Sequence, residues 1–361
     1  MRKRVILAGG LAIVIVGAGA LFLRFVVGVG EDDWICVDGQ WVAHGHPADA
    51  RPEGGCRGGL AGLLPQSGEA VVPQGFTLLW FSDFKGNRIG ALDKSGEIVW
   101  QQQMAAAPMP VVSFDTAAEY VTIAPNGNLI VSDGEGMMVQ EINRQTHELV
   151  WQYGVKDIQG YGQGYLHQPD KAYKINDHEV IINDGNNRRV IIVDQNTNDV
   201  VWQYGETRRM GSAPGLLRGN TMVMPYKGDQ QFIITDTLEK KIMIVDRATK
   251  NIVWEWAKPD AKWLQHVWPT AEDTFVMEDR QKGEVFEVNK AGQILWTLNS
   301  LSDESAIHYP TEALKLGNGN VLIAESGRGR VVEVVPQTGE VVKEYKELGF
   351  ATTIAIDQQA L

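Results

Sequence analysis

Asp199-Val200-Val201-Trp202 closes a phrase that the chain repeats, and its recurrence decides the fold. The phrase returns as Gly96-Glu97-Ile98-Val99-Trp100, Glu148-Leu149-Val150-Trp151, Asn251-Ile252-Val253-Trp254 and Gln293-Ile294-Leu295-Trp296. A sixth copy, Gly339-Glu340-Val341-Val342-Lys343, carries lysine where the others carry tryptophan. Successive tryptophans lie 51, 51, 52 and 42 residues apart. A strand-rich period of about 40 to 50 residues marks a propeller or a solenoid.

Upstream of each phrase the grammar is constant. An apolar strand leads to a turn such as Asn126-Gly127-Asn128 or Gly317-Asn318-Gly319-Asn320. A second strand ends at an acid, as in Val180-Ile181-Ile182-Asn183-Asp184 and Phe232-Ile233-Ile234-Thr235-Asp236. A third strand alternates (Val190 to Asp194, Ile242 to Asp246), and the fourth holds the tryptophan. Asn-Gly between β-branched runs is a strong hairpin signal, so each unit reads as a four-stranded antiparallel meander. Nothing after the N-terminal segment sustains a 3.6-residue period, and the domain reads as all-β.

The second-strand acids Asp83, Asp133, Asp184, Asp236, Asp279 and Glu325 count six sheets. Their recurrence in every unit makes them turn caps rather than ligands. The first sheet begins at its second strand, Phe76 to Asp83, and lacks a first one. Phe350 to Asp357 has first-strand texture and supplies the missing piece. The expectation is a six-bladed β-propeller over 75–361, closed by a C-terminal strand pairing with the first blade, which leaves no long open edge.

The N-terminus has a separate logic. Residues 1–4 are basic, and an apolar stretch follows over 5–29, whose run from Val5 to Leu23 nearly crosses a bilayer core of about 30 Å as a helix. Arg2-Lys3-Arg4 before it and Glu31-Asp32-Asp33 after it orient the chain with the remainder outside. The reading is a transmembrane signal-anchor and an extracytoplasmic domain on the cell membrane. The alternative is a cleaved signal peptide at the small residues Ala18-Gly19-Ala20. Residues 30–74 then form a juxtamembrane knob and linker. Cys36 and Cys56 are the two cysteines, and in an oxidising compartment such a pair reads as a disulfide. With His44 and His46 they lack the C-x-x-C spacing of a zinc site, so no metal is assigned.

The formal net charge is −12, with lysine and arginine scattered. Nucleic-acid binding, which needs a basic stripe, is thereby disfavoured.

Asn143/Thr146/Trp151, Asp194/Thr197/Trp202 and Asp246/Thr249/Trp254 share the spacing Asn/Asp-x-x-Thr-x-x-x-x-Trp. This spacing resembles the tryptophan-docking repeat of PQQ-type quinoprotein propellers. Those dehydrogenases usually have eight blades and a calcium-bound cofactor. The resemblance here identifies a blade style, and the cofactor stays unknown.

Histidines recur near first-strand entries. Tyr165-Leu166-His167-Gln168-Pro169 and Ala306-Ile307-His308-Tyr309-Pro310 share one register, while Gln265-His266-Val267-Trp268-Pro269 slips from it. Equivalent positions of different blades converge on one axis, so His167, His266 and His308 are candidate catalytic or metal-binding residues, or simply structural. The pattern, together with the Val-Trp-Gln-Tyr-Gly endings, resembles bacterial arylsulfotransferases. That resemblance implies a histidine that accepts a sulfuryl group, with Arg188 or Arg280 stabilising its oxygens. The family's Trp-x-His-x-Asn setting is absent. His167-Gln168-Pro169 with Asn183 to Arg188, and Ala324 to Arg330, are similar to NHL repeats, which mostly bind partners and include a zinc lyase branch.

The longest inter-blade loops carry Tyr161, Tyr165, Arg208 and Arg209, and long loops make a binding rim. The leading expectation is a membrane-anchored propeller that binds a small molecule or a protein partner. The alternatives are an arylsulfotransferase-like enzyme and a zinc-dependent lyase or hydrolase of NHL type.

Overall fold

The computed structural model describes residues 33–37, 40–44, 76–103 save 87, and 120–358 save 220, 303, 304 and 347. Contacts divide the chain into two units, Met1–Ser67 and Gly68–Leu361. In the first, β1 (Asp33–Val37) and β2 (Gln40–His44) form an antiparallel hairpin with Asp33 opposite His44. The basic tail, the anchor at 5–29, the linker, Cys56 and the side chain of Cys36 lie outside the described residues. The disulfide expectation therefore lies outside them too. Among the described residues no helix is long and apolar enough to cross a membrane.

The second unit is six four-stranded antiparallel sheets. Blade 1 contains β3 (Phe76–Asp83), β4 (Arg88–Leu92) and β5 (Ile98–Gln103). Blade 2 contains β6 (Tyr120–Ile123), β7 (Leu129–Asp133), β8 (Met138–Ile142) and β9 (Leu149–Gly154). Blade 3 contains β10 (Pro169–Lys174), β11 (Glu179–Asp184), β12 (Arg189–Asp194) and β13 (Val200–Tyr204). Blade 4 contains β14 (Thr221–Tyr226), β15 (Gln231–Asp236), β16 (Lys241–Asp246) and β17 (Ile252–Ala257). Blade 5 contains β18 (Leu264–Pro269), β19 (Phe275–Asp279), β20 (Glu284–Val288) and β21 (Ile294–Leu298). Blade 6 contains β22 (Pro310–Lys315), β23 (Val321–Glu325), β24 (Arg330–Val335) and β25 (Glu340–Tyr345). The last strand, β26 (Ala351–Gln358), lies antiparallel to β3, with Ile354 opposite Phe81. In each blade the first strand packs against the first strand of the next, and β26 holds that place in blade 1, between β22 and β6. The molecule is an all-β, six-bladed propeller.

Sequence explains the packing. Each second and third strand is an apolar run, because both of its faces meet a neighbouring blade. The buried hydrophobic side chains group into clusters that each span one blade interface. One joins Ile181 and Trp202 to Phe232 and Ile234, and another joins Trp80 and Ile89 to Val121 and Leu129. The indoles lock these interfaces. Trp100 Nε1 donates to the Arg144 carbonyl of the next blade at 2.7 Å, Trp202 to Arg247 at 2.8 Å and Trp254 to Lys290 at 2.9 Å. Trp151 donates to the Asn198 side chain at 2.7 Å. The turn they dock on is the one the sequence marks. Asn143 Oδ1 accepts from the Thr146 amide, and Asp246 Oδ1 accepts from both the amide and the hydroxyl of Thr249.

The second-strand acids are caps. Asp184 accepts the His167 amide at 2.8 Å, Glu325 the His308 amide at 2.8 Å, Asp236 the Arg218 amide at 2.6 Å and Asp83 the Phe350 amide at 2.9 Å. Each acid thus ties the chain entering a blade to the end of that blade's second strand. Three also pair with an arginine five residues on: Asp83 with Arg88, Asp184 with Arg189 and Glu325 with Arg330.

All six outer strands carry a β-bulge at the residue before the tryptophan or its lysine replacement. Those residues are Val99, Val150, Val201, Val253, Leu295 and Val342, and each is about half exposed.

Candidate functional site

The axis is lined from one register position. Opposite the residue that precedes the second-strand acid stand Thr353, Tyr120, Met222 and Glu312 in blades 1, 2, 4 and 6, and in blades 3 and 5 a bulge sets Asp170–Lys171 and Gln265–His266 against that position. In blades 1, 3, 5 and 6 an irregularity interrupts the first strand at this point. Bulges re-aim side chains, and three of these four bring an ionisable residue, Lys171, His266 or Glu312, to this level.

The ring closes on itself across the axis. Lys171 of blade 3 pairs with Glu312 of blade 6, and their side chains are 4% and 5% exposed. Glu312 also accepts the Thr353 hydroxyl and the Ile354 amide of blade 1. Tyr120 of blade 2 meets blade 5, where Gln265 Nε2 donates to its hydroxyl at 3.2 Å and the His266 ring lies 5.6 Å away. Beside Lys171, His266 and Glu312 the wall leaves room for about one water molecule.

Electrostatics follow from this enclosure. Burial pushes Glu312 up, but Lys171 and then His266 outweigh it and hold the carboxyl below its ordinary range. Burial lowers Lys171, and Glu312 more than reverses that. Burial raises Tyr120 well above its usual value, with Asp170 adding to the rise and Arg280 opposing it. Asp170, in the bulge above Lys171, is pushed up to about 7 by burial, against a 2.8 Å hydrogen bond from Asn183.

The three histidines do not share a site. His266 is buried, and its Nδ1 lies 3.1 Å from Glu278 Oε1. It does not take the entry position of His167 and His308, because blade 5 is shorter. Its counterparts at the entry are Lys262 and Trp263, whose amides bind Asp279. His167 is half-buried in blade 3, and His308 is exposed in blade 6. Among the described residues, no three His, Cys, Asp or Glu side chains are grouped to hold a metal ion. The donor set required by a zinc lyase is therefore not assembled there.

The arginines separate too. Arg188 adopts a left-handed conformation (φ 59°) after the single turn Gly185–Asn187, and its guanidinium covers Gly219. Arg280 reaches toward blade 6, with its guanidinium carbon 5.4 Å from the Tyr309 ring centre. Its Nε is buried and has no acceptor among the described residues.

The rim loops form a matched pair. Residues 154–167 and 205–218 repeat each other with an offset of 51 residues. Each has an antiparallel bridge (Val155 to Ile158, Glu206 to Arg209) followed by a parallel one (Gln159 to Leu166, Met210 to Leu217). Gly154 and Gly205 begin them at φ 99° and 87°, where a Cβ would collide with the carbonyls of Met137 and Arg188. Leu166 and Leu217 anchor them in the core at 0% exposure. Above these anchors Val155, Ile158, Tyr161, Tyr165 and Met210 face solvent, with Tyr161 55% and Met210 58% exposed. Arg208 stacks over Tyr161 at 5.0 Å and joins the two loops, while Arg209 turns back to Glu206 at 2.7 Å.

The ring residues Lys171 and Glu312 carry no local motif. Counting 13 residues back from Asp184, Asp279 and Glu325 nevertheless reaches Lys171, His266 and Glu312. That count was the available signal.

No curated protein matches the sequence. Among solved structures the fold resembles a protein of unknown function from Bacteroides caccae, with 13% identity, 79% of this chain and 100% of that chain covered, and a TM-score of 0.58. It also resembles the nidogen/laminin complex, with 10% identity, coverage of 77% and 97%, and a TM-score of 0.54. Virginiamycin B lyase from Staphylococcus aureus is similar at 14% identity, coverage of 76% and 84%, and a TM-score of 0.49. Such identities speak for the fold alone. A family model described as outer membrane protein assembly factor BamB matches residues 85–229 and 186–355, well over half of the chain. The chain belongs to this PQQ-like propeller family.

Proposed function

We infer that the protein is a membrane-anchored, extracytoplasmic propeller that binds a polypeptide partner through the rim loops of blades 3 and 4. The observation that carries this reading is the exposed cluster of Ile158, Tyr161, Tyr165 and Met210, bridged by Arg208. Tyrosine, methionine and arginine are the side chains enriched where proteins meet, and solvent-facing apolar patches mark such contacts. Lys156 is offset by Asp157 and Arg209 by Glu206, so Arg208 gives the patch its positive charge, which favours a segment with a carboxylate among apolar residues. The family's description as an assembly factor accords with a protein whose ligands are other proteins. The ring across the axis supports the same preference, since it leaves little space for a substrate inside.

A photo-reactive residue at Gly162, where a Cβ meets nothing within 4 Å, tests the reading in the full chain in its native membrane. A discrete crosslinked protein is expected, lost in Tyr161→Ala/Arg208→Glu and weakened by salt. A crosslink indifferent to both would sink it, as would none at all.

Sulfuryl transfer is a second reading, favoured by the exposure of His308 at the rim. It requires a mass gain of one sulfuryl group after incubation with an aryl sulfate, abolished by His308→Ala.

A further inference from the structure

The six blade interfaces are not locked alike. In four of them the indole of one blade donates to the turn of the next, from Trp100, Trp151, Trp202 and Trp254. Between blades 5 and 6, Trp296 Nε1 donates to Glu287 at 2.6 Å, and Glu287 holds Lys315 of blade 6 at 3.0 Å. Between blades 6 and 1 the indole position is filled by Lys343, opposite Glu333. Two matching turns show what that exchange removes. Asn289-Lys290-Ala291-Gly292 of blade 5 accepts Trp254 on the Lys290 carbonyl and Trp256 on the Gly292 carbonyl. Asp93-Lys94-Ser95-Gly96 of blade 1 meets Tyr345 where Trp256 would be, 3.6 Å from the Cβ position of Gly96. Lys343 stands in the place of Trp254, and its ammonium turns to the Tyr345 ring at 4.8 Å.

A second lock is exchanged at the same seam. Glu141 of blade 2 holds Lys174 of blade 3 at 2.9 Å, as Glu287 holds Lys315. Those lysines stand opposite Val180 and Val321, four residues before the second-strand acid. In blade 1 that position is Ile356, opposite Leu79. Glu333, the counterpart of Glu141 and Glu287, accepts instead from Asn318 and Asn320 of its own blade. Every other interface has at least one of these two locks, and among the described residues this one has neither. Near the axis Glu312 still binds Thr353 and Ile354, and farther out Leu92 and Ile356 pack against Leu314 and Tyr345. Apolar packing is non-directional, and local opening follows the weakest boundary between cooperative units.

We propose that the seam between blades 6 and 1 is a gate built into the ring. The propeller parts there first, hinged at the Glu312 contacts, while β26 stays paired with β3. The gate is independent of the rim loops of blades 3 and 4 and goes beyond the partner-binding reading.

Thiol labelling of cysteines placed singly in the full chain tests it, read by mass spectrometry at the introduced residue. Leu92 faces blade 6, and Ile142 holds the same place in blade 2 facing blade 1. They are 1% and 4% exposed. Leu92→Cys is expected to react at least about tenfold faster than Ile142→Cys, equivalent to about 1.4 kcal/mol of opening free energy. Lys343→Trp supplies the missing indole, so it should slow labelling of Leu92→Cys and leave Ile142→Cys unchanged. In the otherwise native chain Lys343→Trp should raise the melting temperature and slow amide hydrogen exchange in β25, a readout that needs no introduced cysteine. Equal labelling at the two positions would overturn the proposal. So would a Lys343→Trp chain that melts no higher than the parent, or whose exchange in β25 is unchanged.

Discussion

The outer strands of the six blades are near copies of one another, whereas their inner strands present six different residues at one register. On the outside the bulge falls at the same position in every sheet, and the four indoles of blades 1 to 4 dock on the next blade's turn. On the inside the corresponding positions read Thr353, Tyr120, Lys171, Met222, His266 and Glu312. The difference separates two kinds of constraint. An interface made six times needs the same solution six times. An axis exists once, and its residues must complement those of the opposite blade rather than repeat them.

Three measurements test this contrast. Lys171→Met leaves Glu312 buried without its cation, and denaturant unfolding is expected to show a loss of about 3–5 kcal/mol. Adding Glu312→Gln should recover much of that loss, because glutamine still accepts from Thr353 and Ile354. Equal losses in the single and double variants would show that the pair does not act as a unit. Trp202→Phe keeps most of the packing but gives up the bond to Arg247, so about 1 kcal/mol should be lost. A loss as large as that for Lys171→Met would erase the distinction between replaceable interfaces and a unique axis.

A pH-dependent effect concerns Asp170. Its folded pKa of about 7 exceeds the ordinary 3.8, so the native state holds a proton that the unfolded chain releases. Its contribution to stability is complete below about pH 4 and is lost as pH rises through 7. Asp170→Asn should therefore melt higher than the parent at pH 8, by about 5–10 °C, and the gap should close toward pH 4. A gap independent of pH would place the Asp170 carboxyl in water.

Much of the fold was legible because its signals are local. A turn needs its Asn-Gly, a cap needs its acid, in three blades five positions before an arginine, and a docking indole needs its threonine turn. Each of these spans a few residues, and repetition makes each easy to trust. The candidate site was legible only in part. Tyr161 and Arg208 were found because long loops advertise themselves, and their stacking follows from the offset between two copies of one loop. The pair formed by Lys171 and Glu312 joins positions 141 residues apart, so nothing near either residue announces the other. His266 misled because its blade is shortened. It slips from the register that His167 and His308 share, and counting from the acid aligns it with Lys171.

The bulged outer strands bear on what the protein can associate with. A regular strand at the periphery would offer its free amides and carbonyls to any extended chain, and six of them would make the propeller a nucleus for indiscriminate sheet growth. The extra residue in each breaks that ladder midway and sets an aliphatic side chain where an incoming strand would lie. Strand addition is thereby disfavoured around the whole circumference.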